Sequence, residues 1–378
     1  MELLNEHVLQ KNIESSIRSG LKSGQLGGVA VAVRQRGELV YEGFFDAPEI
    51  GVSVSRETIF RLASMTKPIT AVAVLILADR GLVGLHDPVS RYLPAFGVQD
   101  IAQIDADGNL HVLSQGKSEI TIFHLLTHSS GLGSCELGEW QSAHRPRESL
   151  TYLSAAVDYY STLPLAFAPG TATAYSPIFA FDVLARIAEV VSGMPFDRFL
   201  EEVLFRPLGM KDTTFAPSPE QWQRMIPLHN YQNGKAGISA QPAGYVFGDI
   251  PVTCFAGGAG LASTLDDYCV FAEMLLNQGT YSGNRILSAG RVREMATRQV
   301  PELGDIWGLG VRVAGTDAAC APLCPGSFGW SGAYGTHFWV DPANAITAVY
   351  MKNSLYDGGA GAATAHQFEQ DVCNALSH

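Results

Sequence analysis

Residues 61–80 read RLASMTKPITAVAVLILADR. Ser64 and Lys67 stand three apart at the head of a long apolar run, and their role decides how the rest of the chain is read. Residues three apart share one helix face, so the hydroxyl and the amine can meet. Pro68 fits a first helical turn, where no backbone donor is needed, and the helix it opens runs to Ala78. The apolar run gives the Lys67 amine low-dielectric surroundings, which favour a neutral amine able to take a serine proton. A helix N-terminus beside Ser64 favours a developing negative charge. The structural alternative is a serine cap with a snorkelling lysine, and this segment alone leaves both open.

The spacing itself recurs. Ser-x-x-Lys occurs at Ser19–Lys22, Ser64–Lys67 and Ser114–Lys117. Ser19 reads as the fraying end of a short helix, next to Gly20. Ser114 lies in LSQGKS, residues 113–118, a polar loop after a short strand. Only Ser64 has the context of a reactive group.

Composition narrows the classes. The 378 residues are 47% hydrophobic and 16% charged, with a net charge of −12. That is a globular protein of two lobes or one large domain, with ample core. No lysine/arginine cluster accompanies the negative charge, which argues against nucleic acid and anionic membranes as partners. The N-terminus lacks a basic segment followed by an apolar one, and the run from Ile69 to Ala78 is too short to span a bilayer. The expectation is a cytoplasmic protein whose six cysteines are thiols. Cys320 and Cys324 read as loop residues, not metal ligands. His124 and His128, four apart, read as packing or surface residues because no third ligand can be placed. No metal and no cofactor are implied.

Along the chain, Leu4, Val8, Ile13, Ile17 and Leu21 mark an amphipathic first helix. VAVAV from Val29 and ELVYEGFF from Glu38 form a hairpin turning at Gly37. Helices follow over 68–78, from a Thr121 cap toward Gly131, over 179–191, and over 265–276 with Thr264 or Asp266 as cap. Strand patterns return at 308–314, 336–340 and 346–351, and a last helix covers 362–376. Strands at both ends around a helical middle predict one antiparallel sheet built from both termini, with helices inserted.

Acyl transfer requires a second proton handler, an oxyanion hole and a pocket. No serine carries G-x-S-x-G, which argues against an ordinary α/β-hydrolase. Residues 61–71 instead resemble the serine motif of the class C β-lactamase and penicillin-binding-protein superfamily, most of all its family VIII carboxylesterases. Four further stretches support the resemblance in the family's order: HLLTHSSGL from His124, FAPGTATAYSP from Phe167, FAGGAGLASTLDD from Phe255 and FGWSGAYGTHFWVDP from Phe328. It covers about residues 25–352.

The resemblance implies an α+β fold of the β-lactamase/transpeptidase type, an antiparallel sheet flanked by helices plus an inserted, mostly helical domain. Residues 1–60 and 235–378 would form the sheet domain and 61–234 the helical one, with the active site between them. It implies Ser64 as nucleophile, Lys67 as its base partner and Tyr175 as a proton shuttle. The backbone N–H groups of Ser64 and Ala333 would form the oxyanion hole. Trp330, Ser331, Gly332 and Pro177 would contact substrate.

Two departures steer the substrate. Pro177 stands where the family has an asparagine, and its side chain neither donates nor accepts a hydrogen bond. Trp330 stands where β-lactamases have a lysine that attracts a carboxylate; an indole offers an apolar wall and one donor. Both suit neutral esters. The expectation is a serine carboxylesterase for short-chain acyl esters, with a β-lactamase, a D-peptidase or amidase, or a covalent ligand sensor without turnover as alternatives.

Overall fold

The computed structural model describes residues 2–117, 119–239, 252–304, 306–316, 322–359 and 361–376. Its framework is a six-stranded sheet with five principal helices. In chain order these are α1 (Glu6–Lys22), β1 (Val29–Gln35), β2 (Glu38–Phe45), α2 (Thr66–Asp79), α3 (Phe179–Ser192), α4 (Leu265–Leu276), β3 (Arg312–Val313), β4 (Phe328–Ser331), β5 (His337–Asp341), β6 (Ile346–Met351) and α5 (Ala363–Cys373). The strand order is β3-β4-β5-β6-β1-β2, antiparallel throughout. Both ends of the chain thus build one sheet, joined where Ala30 pairs with Met351 and Gln35 with Ile346.

Local chemistry explains the helices. The Asn5 side chain accepts from the Val8 N–H and caps α1, with Glu6 in the first turn and Lys22 in the last, as the helix dipole favours. Leu9, Ile13 and Ile17 form its buried stripe; Leu9, not Val8, carries the first position. The residues of α2 from Thr66 to Ala78 are all buried, as expected of a helix that is apolar all round. Thr264, not Asp266, caps α4 by accepting from the Asp267 N–H.

Two expected elements are shorter in the structure. The helix after Thr121 spans only Ile122–Leu126. Thr121 and His124 cap it reciprocally, but His128 takes a left-handed φ of 55°, which no continuing helix allows. In the 308–314 run only Arg312–Val313 is strand. Gly310 has φ 74°, and the Gly308 N–H donates to the Val311 carbonyl, closing a turn. A Cβ at Gly310 would lie 2.6 Å from the Cβ of Ala71, so the glycine lets this turn seat against α2.

The sheet has cores on both faces. In front, α2, α3 and α4 pack with Phe328, Trp330, Phe338 and Val340. Behind, α1 and α5 pack with Val31, Trp339 and Tyr350. Among the described residues no helix is long and apolar enough to cross a membrane.

Candidate active site

Ser64 sits where the chain changes direction. Ala63 takes a left-handed φ of 47°, costly for a residue with a Cβ. A single 3-10 turn over Ala63–Met65 then hands the chain to α2. The carbonyl of Met65 accepts from the buried Tyr268 hydroxyl at 2.9 Å, and the Leu62 carbonyl accepts from Thr336 Oγ1 at 2.9 Å. Asn353 brackets Arg61, accepting from its N–H at 2.8 Å and donating to its carbonyl at 3.0 Å. The front core and the end of β6 therefore fix the serine from several directions.

Lys67 lies one turn further on and is fully buried. Its Nζ is 3.3 Å from Ser64 Oγ and donates to the carbonyls of Pro177 at 2.6 Å and Gly258 at 2.7 Å. The Tyr175 hydroxyl donates to Ser64 Oγ at 2.7 Å. Lys67 Nζ also stands 5.1 Å from the centroid of the Tyr175 ring, within cation–π range. The structure thus gathers Ser64, Lys67 and Tyr175, whose positions span 111 residues of sequence, around one oxygen.

Pro177 contributes its backbone carbonyl to Lys67 while its ring is exposed. Trp330 packs 5.5 Å from the Tyr175 ring, centroid to centroid. Gly332 lies against the turn before Ser64: a Cβ there would come within 2.2 Å of the Leu62 carbonyl oxygen and of Thr336 Oγ1. Ala333, next in sequence, is exposed. The expected substrate contact of Ser331 needs correction. Side chains alternate along a strand, so Ser331 faces away from Trp330, and its Oγ is 2.8 Å from His337 Nδ1 across β4 and β5.

Several participants were not legible beforehand. His128 is buried at 4.9 Å from the Tyr175 ring and 4.5 Å from that of Trp307. Its Nδ1 accepts from the Ser176 N–H at 3.2 Å, which leaves the ring hydrogen on Nε2. Burial first, and the Lys67 charge second, push this imidazole well below its ordinary value, so it is a neutral backstop for Tyr175. Trp307 stacks on Tyr175 with 10° between the ring planes. Asp182 is fully buried in α3; one oxygen accepts from the Gly258 N–H at 3.0 Å and the other from the Tyr160 hydroxyl at 3.2 Å. It thereby anchors Gly258, the residue whose carbonyl receives Lys67. Burial raises its pKa above the usual carboxylate range despite these donors. The LLTH and YSP stretches pointed to this neighbourhood, but neither Asp182 nor Trp307 lies in one of the five stretches that carry the resemblance.

The other Ser-x-x-Lys pairs assemble nothing comparable. Ser19 and Lys22 are exposed on α1, and Ser114 and Lys117 are exposed on and after a two-stranded hairpin over Ile101–Ser114. His124 serves the Thr121 cap. Among the described residues no group of three His, Cys, Asp or Glu side chains is placed to hold a metal; Cys320 lies outside them.

A serine, a buried lysine and a tyrosine thus meet at a left-handed turn beside an antiparallel sheet. The β-lactamase family profile matches residues 13–371. The chain belongs to the β-lactamase family. Esterase EstB of Burkholderia gladioli is 31% identical, over 94% of this chain and 93% of its own. Two solved structures share the fold. EstCE1, described as a hydrolase with promiscuous acyltransferase activity, superposes with a TM-score of 0.80 at 24% identity, over 97% of this chain and 99% of that one. A family VIII carboxylesterase gives 0.76 at 19%, over 97% of each chain. This member of the β-lactamase family therefore has the expected β-lactamase/transpeptidase-like fold and an esterase among its relatives.

Proposed function

We propose that the protein is a serine carboxylesterase that hydrolyses short-chain, uncharged acyl esters through an acyl-enzyme on Ser64. The observation that carries this reading is the convergence of the Tyr175 hydroxyl, at 2.7 Å, and Lys67 Nζ, at 3.3 Å, on Ser64 Oγ. Both lie at or near hydrogen-bond reach of the proton that must leave. As Ser64 Oγ attacks the ester carbonyl carbon, its proton passes to the Tyr175–Lys67 pair, which acts with one member deprotonated, as phenolate or as neutral amine, and so has a site for it. The carbonyl oxygen, now an anion, is held by the N–H groups of Ser64 and Ala333. Collapse breaks the carbon–oxygen bond to the alcohol, which leaves with the proton. Water then repeats the sequence on the acyl-enzyme, its proton passing to the same pair and on to Ser64 Oγ as the acid departs.

The surroundings support a neutral substrate. Where a β-lactamase has a cationic lysine to hold a carboxylate, Trp330 presents an indole buried among His128, Tyr175 and Trp307. Pro177 provides no side-chain donor for a lactam amide, and its carbonyl is already taken by Lys67.

The test is steady-state hydrolysis of p-nitrophenyl butyrate and of a chromogenic cephalosporin, with Ser64→Ala alongside. Ester turnover that exceeds lactam turnover and disappears in Ser64→Ala is the expected result. Lactam turnover well above ester turnover overturns the esterase reading. Ester turnover that survives Ser64→Ala removes Ser64 from the chemistry.

A further inference from the structure

The back of the sheet holds a cavity. There α1 and α5 cover β5, β6 and β1; beyond them lie the edge strand β3 and its neighbour β4. Between those strands, Leu323 and one flank of α5 lies a cleft of about 140 Å³. Ser64, Lys67 and Tyr175 do not line it.

Three features of its wall point to a ligand. The first is an uncommitted cation. Arg312 pairs across the sheet with Gly329, which in turn pairs with Trp339. Gly329 leaves no side chain between them, and a Cβ at this position would lie 2.0 Å from the Phe338 carbonyl oxygen. The Arg312 guanidinium lines the cleft and has no carboxylate partner among the described residues. The second is an unanswered hydroxyl. Ser327 is two positions from Gly329 and so shares its face. It lines the cleft at 1% exposure, and its Oγ has no hydrogen-bond partner among the described residues. Leaving a buried polar group so is costly, and native structures seldom keep one without a use.

The third is that Glu369, the one carboxylate among the described residues of the wall, is already occupied. Glu369 of α5 places one oxygen 3.0 Å from His337 Nε2 and the other 3.3 Å from His366 Nδ1. His337 continues to Ser331 Oγ at 2.8 Å. These contacts engage the Glu369 carboxylate, while Arg312 and Ser327 Oγ are left without a side-chain partner among the described residues. Leu323, Ile306 and Trp339 make the rest of the wall apolar.

We infer that this cleft binds a small monocarboxylate with a compact apolar body, its carboxylate on the Arg312 guanidinium and Ser327 Oγ and its body against Leu323 and Trp339. A planar guanidinium matches a carboxylate with two parallel hydrogen bonds. The volume matches the scale of a protein cavity, ~150 Å³, that takes one benzene ring. The inference requires no chemistry at Ser64, so it stands or falls apart from the esterase reading; under that reading, the acid released by hydrolysis belongs to the same class.

The experiment is calorimetric titration of sodium benzoate into the full chain carrying Ser64→Ala, so that no turnover contributes. Saturable binding is expected. Arg312→Gln in that background should weaken it by at least about tenfold, Arg312→Lys by less because the charge is kept, and Ser327→Ala by about threefold or more. Thermal melting checks that each variant is folded, and Ser327→Ala alone carries the test if Arg312→Gln is not. No binding heat at tens of millimolar benzoate overturns the proposal. So does an affinity unchanged by both Arg312→Gln and Ser327→Ala, which puts benzoate elsewhere, the Ser64 site included. Benzyl alcohol binding as well as benzoate also overturns it, because the cleft is then merely apolar.

Discussion

Two of the three stretches that carry the Ser-x-x-Lys pattern end in opposite environments. At Ser64–Lys67 the lysine is fully buried, and its amine is shared among a serine oxygen and two backbone carbonyls. At Ser114–Lys117 both residues are exposed beside a two-stranded hairpin. The difference arises upstream and downstream of the pattern. Ser64 is preceded by a left-handed residue and followed by a helix buried on all sides; Ser114 ends a strand whose five residues are all exposed. A hydroxyl and an amine at helical spacing become chemistry only when the fold supplies desolvation and further partners.

The largest test of that contrast removes the two hydroxyls in turn. Ser64→Ala should lower ester kcat/KM by at least about a thousandfold, because the covalent route is lost. Ser114→Ala should leave it unchanged. Equal loss in both would break the comparison. Next come the partners. Tyr175→Phe and Lys67→Ala should each lower kcat by about 10²–10⁴-fold, and a double variant should lose much less than the product of the two if they act as a unit. Full additivity would mean that they serve separate steps.

A smaller effect is expected at Gly332, where β4 meets the turn before Ser64. Gly332→Ala forces a methyl to within 2.2 Å of the Leu62 oxygen and should cost about 1–3 kcal/mol of stability, read as a lower melting temperature, with kcat reduced as the strand shifts. Unchanged melting and kcat would show that β4 has room to move.

Asp182 gives a pH-dependent test. Its pKa in the folded protein is raised by burial, so the folded state binds the proton more tightly than the unfolded state. This contribution therefore makes stability fall as pH rises from the ordinary carboxyl range through the raised one. Asp182→Asn removes that slope; melting curves of the two proteins across this range should diverge in form, and parallel curves would refute the assignment. Because Asp182 holds the N–H of Gly258 and Lys67 its carbonyl, the variant should also lower kcat more than it changes KM. The smallest effect closes the series: Lys117→Ala should stay within about 0.5 kcal/mol of wild-type stability, whereas Lys67→Ala should exceed that clearly.

Much of the framework was legible because its signals are local. The apolar periodicity of α1, the glycine turn between β1 and β2, and the unbroken apolar run of α2 each follow from a few neighbouring residues. The reading failed where non-local contacts decide. His128 leaves the helix that its sequence suggests because its ring is needed against Tyr175 and Trp307. Gly308–Val311 turns because Gly310 must pass close to Ala71. Ser331 looked like a substrate contact from its motif, yet the alternation of β4 sends it to the back of the sheet, where His337 waits across the strand pair.

The sequence alone determined the class of the fold, the pairing of strands from both termini, and the identities of Ser64, Lys67 and Tyr175 as residues worth bringing together. Those follow from patterns within single segments and from five motifs in a fixed order. Only the tertiary structure decided the surroundings: the carbonyls of Pro177 and Gly258 around the amine, the buried carboxylate of Asp182 behind one of them, and the cleft left open by Gly329. Carbonyl groups and empty space carry no sequence signal of their own. Every residue has a carbonyl, and a cavity belongs to whichever side chains the packing brings to its edge.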